Sequence, residues 1–310
     1  MSVRFSGFVM LLLAGSAAGA QAPVADPTAR AAATEAQMTD DERFQLLYGV
    51  MPFNIPGLAQ IDPARIKGIP AVAGYVKGIA RLGVPDLLET DASLGVANPM
   101  QLRQDQATAL PSGLALAASF DPGLIHEGGR MIGAETRAFG YNVLLAGGVN
   151  LARDPRNGRN FEYLGEDPLL AGVMGGESIR GIQSQGVIST IKHLSLNAQE
   201  TNRATLDARI DEAGHRESDL LAFEIAIERG EPGSVMCAYN LVNGAHSCGN
   251  DHLLNTVLKR DWGYKGWVMS DWGAVGDVSF FNAGLDQQSG AQLDKQIWFG
   301  EPLKREFAAG

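Results

Sequence analysis

The sequence predicts an α/β fold, specifically a (β/α)8 barrel that is incomplete at its C-terminal end. Short apolar runs alternate with longer segments whose apolar residues recur at helical spacing, which is typical of parallel strands joined by helices. No G-x-G-x-x-G motif follows the first strand, and this disfavours an open dinucleotide-binding sheet. After seven such runs the chain passes through "IWFGEPLKREFAAG" without a clear eighth unit.

The predicted strands are short, and each ends in polar residues. They are "PDLLETD" (85–91), "GLALAAS" (113–119), "NVLLAGG" (142–148), "VISTIKH" (187–193), "SVMCAYN" (234–240), "WVMSD" (267–271) and "AGLDQQS" (283–289). Apolar runs of this length suit strands that are covered on both faces.

Helices are predicted between these strands. The segments 121–140 and 166–186 open with Asp-Pro start signals, and the segments 211–230 and 250–263 are amphipathic and end on Gly. An earlier helix is expected after Thr39, because Glu42 stands three residues later and completes a capping box.

The N-terminus has the pattern of a secretory signal. Arg4 precedes the apolar run "FVMLLLAG", and small residues follow in "SAAGAQA". We expect residues 1–20 to be a signal peptide cleaved after Ala20, residues 21–37 a flexible leader, and residues 38–310 the barrel domain. The apolar run is too short to span a bilayer. The mature protein is therefore expected to be periplasmic or secreted, without membrane contact after cleavage.

Composition narrows the range of partners. The chain has 310 residues, and its formal net charge of -10 argues against nucleic acid and anionic membranes. An exported chain with two cysteines favours a Cys237–Cys248 disulfide, although two buried free thiols are the alternative. No zinc spacing or paired histidine motif is present, so neither a metal nor a cofactor is expected.

Polar side chains stand where the predicted strands end. The residues at these positions are Asp91, Lys192, His193, Tyr239, Asn240, Asp271 and Trp272. Because active sites of α/β barrels lie at the C-terminal ends of the strands, we expect these side chains to share one site. A Trp can stack on a sugar ring while charged groups hydrogen-bond the hydroxyls, and a carboxylate can attack the anomeric carbon.

Each of these residues also has a structural interpretation. Asp91 and Asp271 stand where turn-capping acids are common. Lys192 and His193 could belong to a buried ion pair, and Tyr239 could be a core residue. The sequence pattern alone leaves both interpretations open.

Four ordered motifs favour the functional interpretation. They are "NLARDPRNGRNFEYLGEDP", "IKHLSLNAQETNR", "VMCAYNLVNG" and "GWVMSDWGAV". Together they resemble the N-terminal barrel of family 3 glycoside hydrolases of the β-glucosidase type, over roughly residues 38–310. The resemblance implies a secreted retaining β-glycosidase that hydrolyses terminal non-reducing β-D-glucosyl residues of oligosaccharides or glucosides.

The resemblance also implies roles for individual residues. Asp271 would be the catalytic nucleophile. The residues expected to line the sugar subsite are Asp91, Arg159, Lys192, His193, Met236, Tyr239 and Trp272. In "GRNFE", Arg159 matches the sugar-binding arginine better than Arg153, which is expected to be structural. The loop arginines are also able to bridge neighbouring acids, and we expect at least one to do only that.

Two departures from the family pattern leave alternatives open. The N-acetylglucosaminidase branch carries a second His in a "KHFPGHG"-like loop, and "KHLSLNAQETNR" has none, so the glucosidase branch is favoured. In that branch a Glu from a following α/β-sandwich domain is the acid/base, and this sequence is expected to end before such a domain. A sugar-binding or weakly active fragment is therefore the alternative function.

Overall fold

The structure is a computed structural model that describes residues 26–98 and 103–310. The chain divides into two compact units, Met1–Met38 and Thr39–Gly310. In the first unit, residues Pro27–Glu35 form helix α1, with Asp26 as its N-cap. A helix therefore occupies part of the predicted leader. The predicted signal peptide lies outside the described residues.

The second unit is built on a mainly parallel sheet. In chain order the strands are β1 (Gly74–Val76), β2 (Leu87–Asp91), β3 (Val143–Leu145), β4 (Ile188–Leu194), β5 (Asp207–Ala208), β6 (Ser234–Cys237), β7 (Leu241–Val242), β8 (Ala245–His246) and β9 (Trp267–Met269). The main sheet has the order β1-β2-β3-β4-β6-β9, and β5, β7 and β8 form a small second sheet. Only the β1–β2 pair of the main sheet is antiparallel. The predicted α/β fold with an incomplete barrel is confirmed.

Isolated bridges connect the two edges of the main sheet. The segment 287–288 pairs with Met269 of β9 and with Tyr48, and Val50 pairs with Tyr75 of β1. The Val50 and Tyr75 backbones exchange two hydrogen bonds, of 2.9 and 2.8 Å. The sheet thus curls back on itself, with single bridges where a complete barrel has strands.

Helices cover the outside of this sheet. In the second unit they are α2 (Asp40–Leu46), α3 (Pro63–Ile66), α4 (Gly113–Ala117), α5 (Pro122–Ala138), α6 (Pro168–Gln183), α7 (Glu212–Glu217), α8 (Asp219–Gly230), the π-helix His252–Asp261 and α9 (Glu301–Ala309). Short 3-10 helices are Ala80–Leu82, Asn160–Glu162, Ser247–Gly249, Val278–Phe280 and Ala291–Leu293. None of the helices in the described ranges is long and apolar enough to cross a membrane.

The predicted helix starts are confirmed by their caps. The side chain of Asp121 accepts a hydrogen bond from the Gly123 amide at 2.9 Å at the start of α5. Asp167 does the same for the Leu170 amide at 2.7 Å at the start of α6. In the expected capping box, the Thr39 amide donates to Glu42 at 2.9 Å.

Two predicted strands are wrong. Residues 113–117 form α4, because Ser112 caps a run of Gly, Leu and Ala that lacks the β-branched residues typical of strands. Segment 283–289 makes only isolated bridges at its polar residues 287 and 288. Strand β1 was not predicted, and its three residues offer too short a pattern.

Two predicted helices also differ from expectation. Segment 211–230 is two helices, because Ser218 leaves helical geometry with φ -126° and ψ -98°. Segment 250–263 contains a helix over His252–Asp261, but it is a π-helix. Apolar residues of both segments still pack in one cluster with residues of the sheet.

The core has an inner and an outer part. Alternate strand residues point to opposite faces of the sheet. On one face Val143, Leu145, Met236 and Met269 form the interior cluster. On the other face, strand residues pack against the helices in two larger clusters. The C-terminal strand ends therefore lie above this apolar cluster, and this is where the polar side chains collect.

Candidate active site

Asp271 follows β9 and is held by its backbone neighbours. The Ser270 amide donates to the Gln287 carbonyl at 2.9 Å, and the Ser270 hydroxyl accepts from the Ser289 amide at 2.9 Å. The Asp271 side chain is buried, with Oδ2 3.5 Å from Nε2 of His193. Within the described residues that oxygen has no hydrogen-bond partner. It is the free oxygen of a rigidly placed carboxyl group.

His193 lies at the end of β4 with both ring nitrogens in use. Its Nε2 is 2.9 Å from Nη2 of Arg159, and its Nδ1 is 3.3 Å from the Tyr163 hydroxyl. A guanidinium can only donate, so Nε2 accepts and this hydrogen bonding assigns the proton to Nδ1. Burial, followed by the charges of Arg159, Lys192 and Arg203, lowers the pKa of His193 well below its usual range. Because the Nε2 of neutral His193 carries no proton, it cannot donate a hydrogen bond to Oδ2 of Asp271, and that oxygen stays free.

The backbone of this strand end is fixed from the neighbouring loop. The Asn150 side chain accepts from the His193 amide at 2.8 Å and donates to the His193 carbonyl at 2.9 Å. The Lys192–His193 and Leu194–Ser195 peptide bonds are cis. The loop after β3 thereby sets the position of His193.

Arg159 and Lys192 share one buried acid, Glu162. The Arg159 guanidinium donates to Glu162 Oε1, and Lys192 Nζ lies 3.8 Å from Glu162 Oε2. Both partners of the Lys192–Glu162 pair are nearly inaccessible, so each charge compensates the other's desolvation. The 3-10 helix Asn160–Glu162 is therefore clamped onto the end of β4.

The other loop arginines pair with acids outside the group around Asp271. Arg153 pairs with the buried carboxylate of Asp219 at the start of α8, and Arg156 pairs with Asp154 at 3.1 Å. Neither contacts the group around Asp271. Among the arginines of this loop, Arg159 is therefore the one that reaches His193.

Opposing effects set the protonation of Asp271. Burial raises the pKa of its carboxyl to about 6, and Arg159, the Tyr239 hydroxyl, Lys192 and Arg203 all act against that rise. The charge of Lys192 favours the ionised form of this acid, but burial outweighs it.

Tyr239 faces Asp271 and is covered by an arginine that sequence reasoning missed. Burial first, and then the charge of Asp271, raises the pKa of Tyr239, so its hydroxyl stays a donor. The Arg203 guanidinium lies 4.0 Å from the centroid of its ring. Arg203 comes from the loop after β4, within the motif "IKHLSLNAQETNR", and the motif was the only signal for it.

Trp272 forms a wall directly after Asp271. Its backbone is left-handed, with φ 28°, which is rare for a residue with a side chain. The indole donates to the Ala73 carbonyl at 3.2 Å. A Cβ added to Gly290 would lie 2.3 Å from Cδ1 of Trp272, so only glycine admits the ring there.

The remaining predicted residues occupy neighbouring strand ends. Asp91 is the last residue of β2, half-buried, and pairs in register with Leu145. Met236 on β6 is buried in the interior cluster beside Trp272. The structure brings Arg159, Lys192, His193, Tyr239 and Trp272 around Asp271 through the contacts above. It places Asp91 and Met236 on the same sheet without a hydrogen bond or ion pair to Asp271.

The disulfide prediction is confirmed. Cys237, the last residue of β6, is bonded to Cys248 in the 3-10 helix Ser247–Gly249, with a Cα–Cα distance of 5.1 Å. Within the described ranges no group of three or more His, Cys, Asp or Glu side chains could hold a metal ion.

The barrel and this cluster define a class of protein. A rigid carboxyl with one free oxygen, surrounded by cations, a tyrosine hydroxyl and an indole wall, is suited to attack on the anomeric carbon of a bound sugar. These are the features of a glycoside hydrolase.

The sequence identifies the family. Residues 60–291 match the glycosyl hydrolase family 3 N terminal domain. This match covers most of the chain, which therefore belongs to glycosyl hydrolase family 3. The resemblance drawn from the four motifs is confirmed.

Curated relatives and solved structures agree with this assignment. Over 237 residues the chain is 41% identical to thermostable beta-glucosidase B of Acetivibrio thermocellus, covering 72% of this chain and 31% of that protein. The structure of DesR, a beta-glucosidase from Streptomyces venezuelae in complex with D-glucose, covers 91% of this chain with 38% identity and a TM-score of 0.79. Beta-glucosidase 3B from Thermotoga neapolitana in complex with glucose gives 34% identity and a TM-score of 0.81. The chain spans 35% and 40% of these two structures.

Proposed function

We propose that this protein is a retaining β-glucosidase that uses Asp271 as its nucleophile on terminal non-reducing β-D-glucosyl residues. The observation that carries the proposal is the free Oδ2 of the buried Asp271, which lies 3.5 Å from Nε2 of His193 in a cluster that includes Arg159 and Lys192. The names of the relatives support glucose as the sugar.

The reaction has two displacement steps. In the first, Oδ2 of Asp271 forms a bond to the anomeric carbon, the bond to the aglycone oxygen breaks, and that oxygen takes a proton from a carboxylic acid. In the second, water attacks the same carbon, the ester to Asp271 breaks, and the deprotonated acid accepts the proton from water. The geometry around Asp271 supports its role as nucleophile of the first step and as leaving carboxylate of the second.

The cations around Asp271 are proposed to hold the sugar hydroxyls. Lys192 and Arg159 supply charge-assisted donors, Asp91 an acceptor and Trp272 a stacking surface. The expectation for His193 is a direct hydrogen bond to the sugar. Because its ring nitrogens bind Arg159 and Tyr163, we assign it first to orienting Arg159.

The proton donor is proposed to come from a further domain. The chain spans about a third of the relative from Acetivibrio thermocellus, 31% of its length. A Glu from an α/β-sandwich domain would supply the acid, as the family resemblance implies. A fragment without that acid would bind sugar and react only with activated substrates.

A pair of substrates tests the function and separates these alternatives. A dinitrophenyl β-glucoside needs no proton on its leaving group, whereas cellobiose does. We expect the 310-residue chain to release dinitrophenol from the former in a burst, followed by slow formation of β-glucose seen by NMR, and hardly to react with the latter. Release of the α-anomer would contradict retention, and brisk cellobiose hydrolysis would contradict an acid from outside these residues.

The choice of sugar has two competing candidates, arabinopyranose and N-acetylglucosamine. An exo-alpha-(1->6)-L-arabinopyranosidase of Bifidobacterium longum is 39% identical over 235 residues, close to the value for the glucosidase. Comparing nitrophenyl β-D-glucoside with nitrophenyl α-L-arabinopyranoside and β-N-acetylglucosaminide decides between these sugars. The proposal expects the highest kcat/KM for the glucoside.

Export to the periplasm or medium is part of the proposal. It is supported by the signal pattern of residues 1–20 and by the Cys237–Cys248 disulfide, which suits an oxidising compartment. N-terminal sequencing of protein from the periplasm or medium should begin at Gln21. Retention of the uncleaved chain in the cytoplasm would contradict export.

A further inference from the structure

Glu89 is a buried acid beneath the proposed sugar pocket. It is fully inaccessible and lies on β2 two residues before Asp91, so the two side chains share one face of the strand. Its register partner on β3 is Val143, a member of the interior cluster. Neither carboxyl oxygen has a hydrogen-bond partner among the residues that the structure describes.

The Glu89 carboxyl lies against the same point of β1 as the Trp272 indole. A Cβ added to Gly74 would be 2.0 Å from Oε2 of Glu89 and 3.1 Å from Cζ2 of Trp272. Gly74 is also the antiparallel partner of Glu89. The carboxyl therefore fills the space between β1, the indole wall and the end of β2.

No cation compensates Glu89 in the described part of the chain. β1 presents Gly74, β3 presents Val143 and the segment after β9 presents Trp272, none of which carries a charge. The charged neighbour is Asp91 on its own strand. Burial first, and then the charge of Asp91, raises the pKa of Glu89 to about 8. The carboxyl is thus neutral at neutral pH.

We propose that Glu89 is a positioning residue of the sugar pocket, whose protonated carboxyl supports Asp91 and Trp272 and whose ionisation weakens sugar binding. An unpaired carboxylate in an apolar interior is strongly unfavourable, so ionisation draws in water or displaces the side chain. Either change acts on the indole over Gly74, and the new charge repels Asp91. The inference rests on the proposed function, because it takes Asp91 and Trp272 to hold a sugar.

The test is the pH dependence of glucose binding to the 310-residue chain. Calorimetry from pH 6.5 to 9.5 compares the wild type with Glu89→Gln, which keeps the shape of a neutral carboxyl but cannot ionise. We expect the wild-type Kd to rise roughly tenfold between pH 7 and 9, and the variant Kd to stay nearly constant over that range. Glu224→Gln on α8 is the matched control, since burial also raises the pKa of Glu224 while it lies outside this cluster. It should follow the wild type.

Two outcomes would overturn the inference. Parallel loss of affinity in the wild type and Glu89→Gln would show that another group titrates. A wild-type Kd that does not change with pH would show that ionisation of Glu89 does not reach the pocket.

Failure of the proposed function gives a different result. If neither protein binds glucose at any pH, the sugar assignment is wrong, and tryptophan fluorescence without ligand then decides the role of Glu89. The inference requires an emission change between pH 7 and 9 in the wild type that Glu89→Gln and Trp272→Phe both abolish. Persistence of the change in Glu89→Gln would overturn it.

Discussion

Asp271 and Glu89 are two buried carboxyls of one barrel with different surroundings. Burial raises the pKa of both groups, to about 6 for Asp271 and about 8 for Glu89. At Asp271 the charges of Arg159 and Lys192 oppose burial, whereas at Glu89 the charge of Asp91 adds to it. The two groups therefore differ more in the charges around them than in their burial. Nearby cations leave Asp271 able to react as a carboxylate at neutral pH, whereas Glu89 stays protonated.

The largest expected effect is the loss of the nucleophile. Asp271→Ala should lower the release of dinitrophenol from its β-glucoside by at least about 10³-fold, because the covalent intermediate cannot form. Circular dichroism should show an unchanged fold. Asp294→Asn is the matched control, since Asp294 is a buried acid whose pKa is also raised to about 6. Equal loss in both variants would contradict a specific role for Asp271.

Removing a compensating cation should weaken the site strongly. Lys192→Met keeps the length of the side chain but removes its charge. We expect transition-state binding, measured from the ratio of the kcat/KM values, to weaken by about 2–4 kcal/mol. The same change should raise the pKa of Asp271 further, since Lys192 acts to lower it. Steady-state kinetics at several pH values measure both effects. An unchanged acidic limb in Lys192→Met would show that this cation does not act on the nucleophile.

The acidic limb of the pH profile should report Asp271 itself. Attack requires the carboxylate, and the pKa of Asp271 is raised to about 6, so activity is present above that pH and lost below it. We expect kcat/KM to fall about tenfold per pH unit well below pH 6. A profile that stays flat down to pH 4.5 would mean that the cations lower the pKa of Asp271 more than burial raises it.

The smallest expected effects are on stability, in two different pH windows. Both carboxyls have folded pKa values above their unfolded ones, so their stabilising contribution is complete at low pH and is lost as pH rises through the folded pKa. Relative to the wild type, Asp271→Asn should gain stability between about pH 4 and 6, and Glu89→Gln between about pH 4.5 and 8. The gains should be on the order of a few kcal/mol at most. Urea unfolding across pH measures them, and coincident windows would contradict the comparison.

Local signals explain what the sequence could predict of the fold. The Asp121 and Asp167 caps are short-range contacts that sequence spacing reveals, and both helices begin as expected. The run 113–119 was misassigned because a short apolar stretch of Leu and Ala does not distinguish a buried strand from a helix. The isolated bridges of segment 287–288 depend on partners far away in the chain, which no local pattern encodes.

The sequence could predict those site residues that lie at the C-terminal ends of strands. Lys192, His193, Tyr239 and Asp271 could be grouped because parallel strands finish at one edge of the barrel. Arg203 could not, because only the folded loop places it over the Tyr239 ring. Glu89 was overlooked for another reason. A charged residue inside an apolar strand gives no sign that its side chain faces the interior without a partner.

The measurement that tests the central claim most directly is covalent trapping. A 2-fluoro β-glucoside with a dinitrophenyl leaving group should glycosylate the 310-residue chain without a proton donor. The fluorine slows both steps, but the activated leaving group speeds only the first, so the covalent intermediate accumulates. Peptide mapping by mass spectrometry should place the sugar on Asp271, in the peptide that contains "WVMSDWGAV". Asp294→Asn should be labelled like the wild type, and Asp271→Ala should not be labelled. A label on any other residue would contradict the account of Asp271 as the nucleophile.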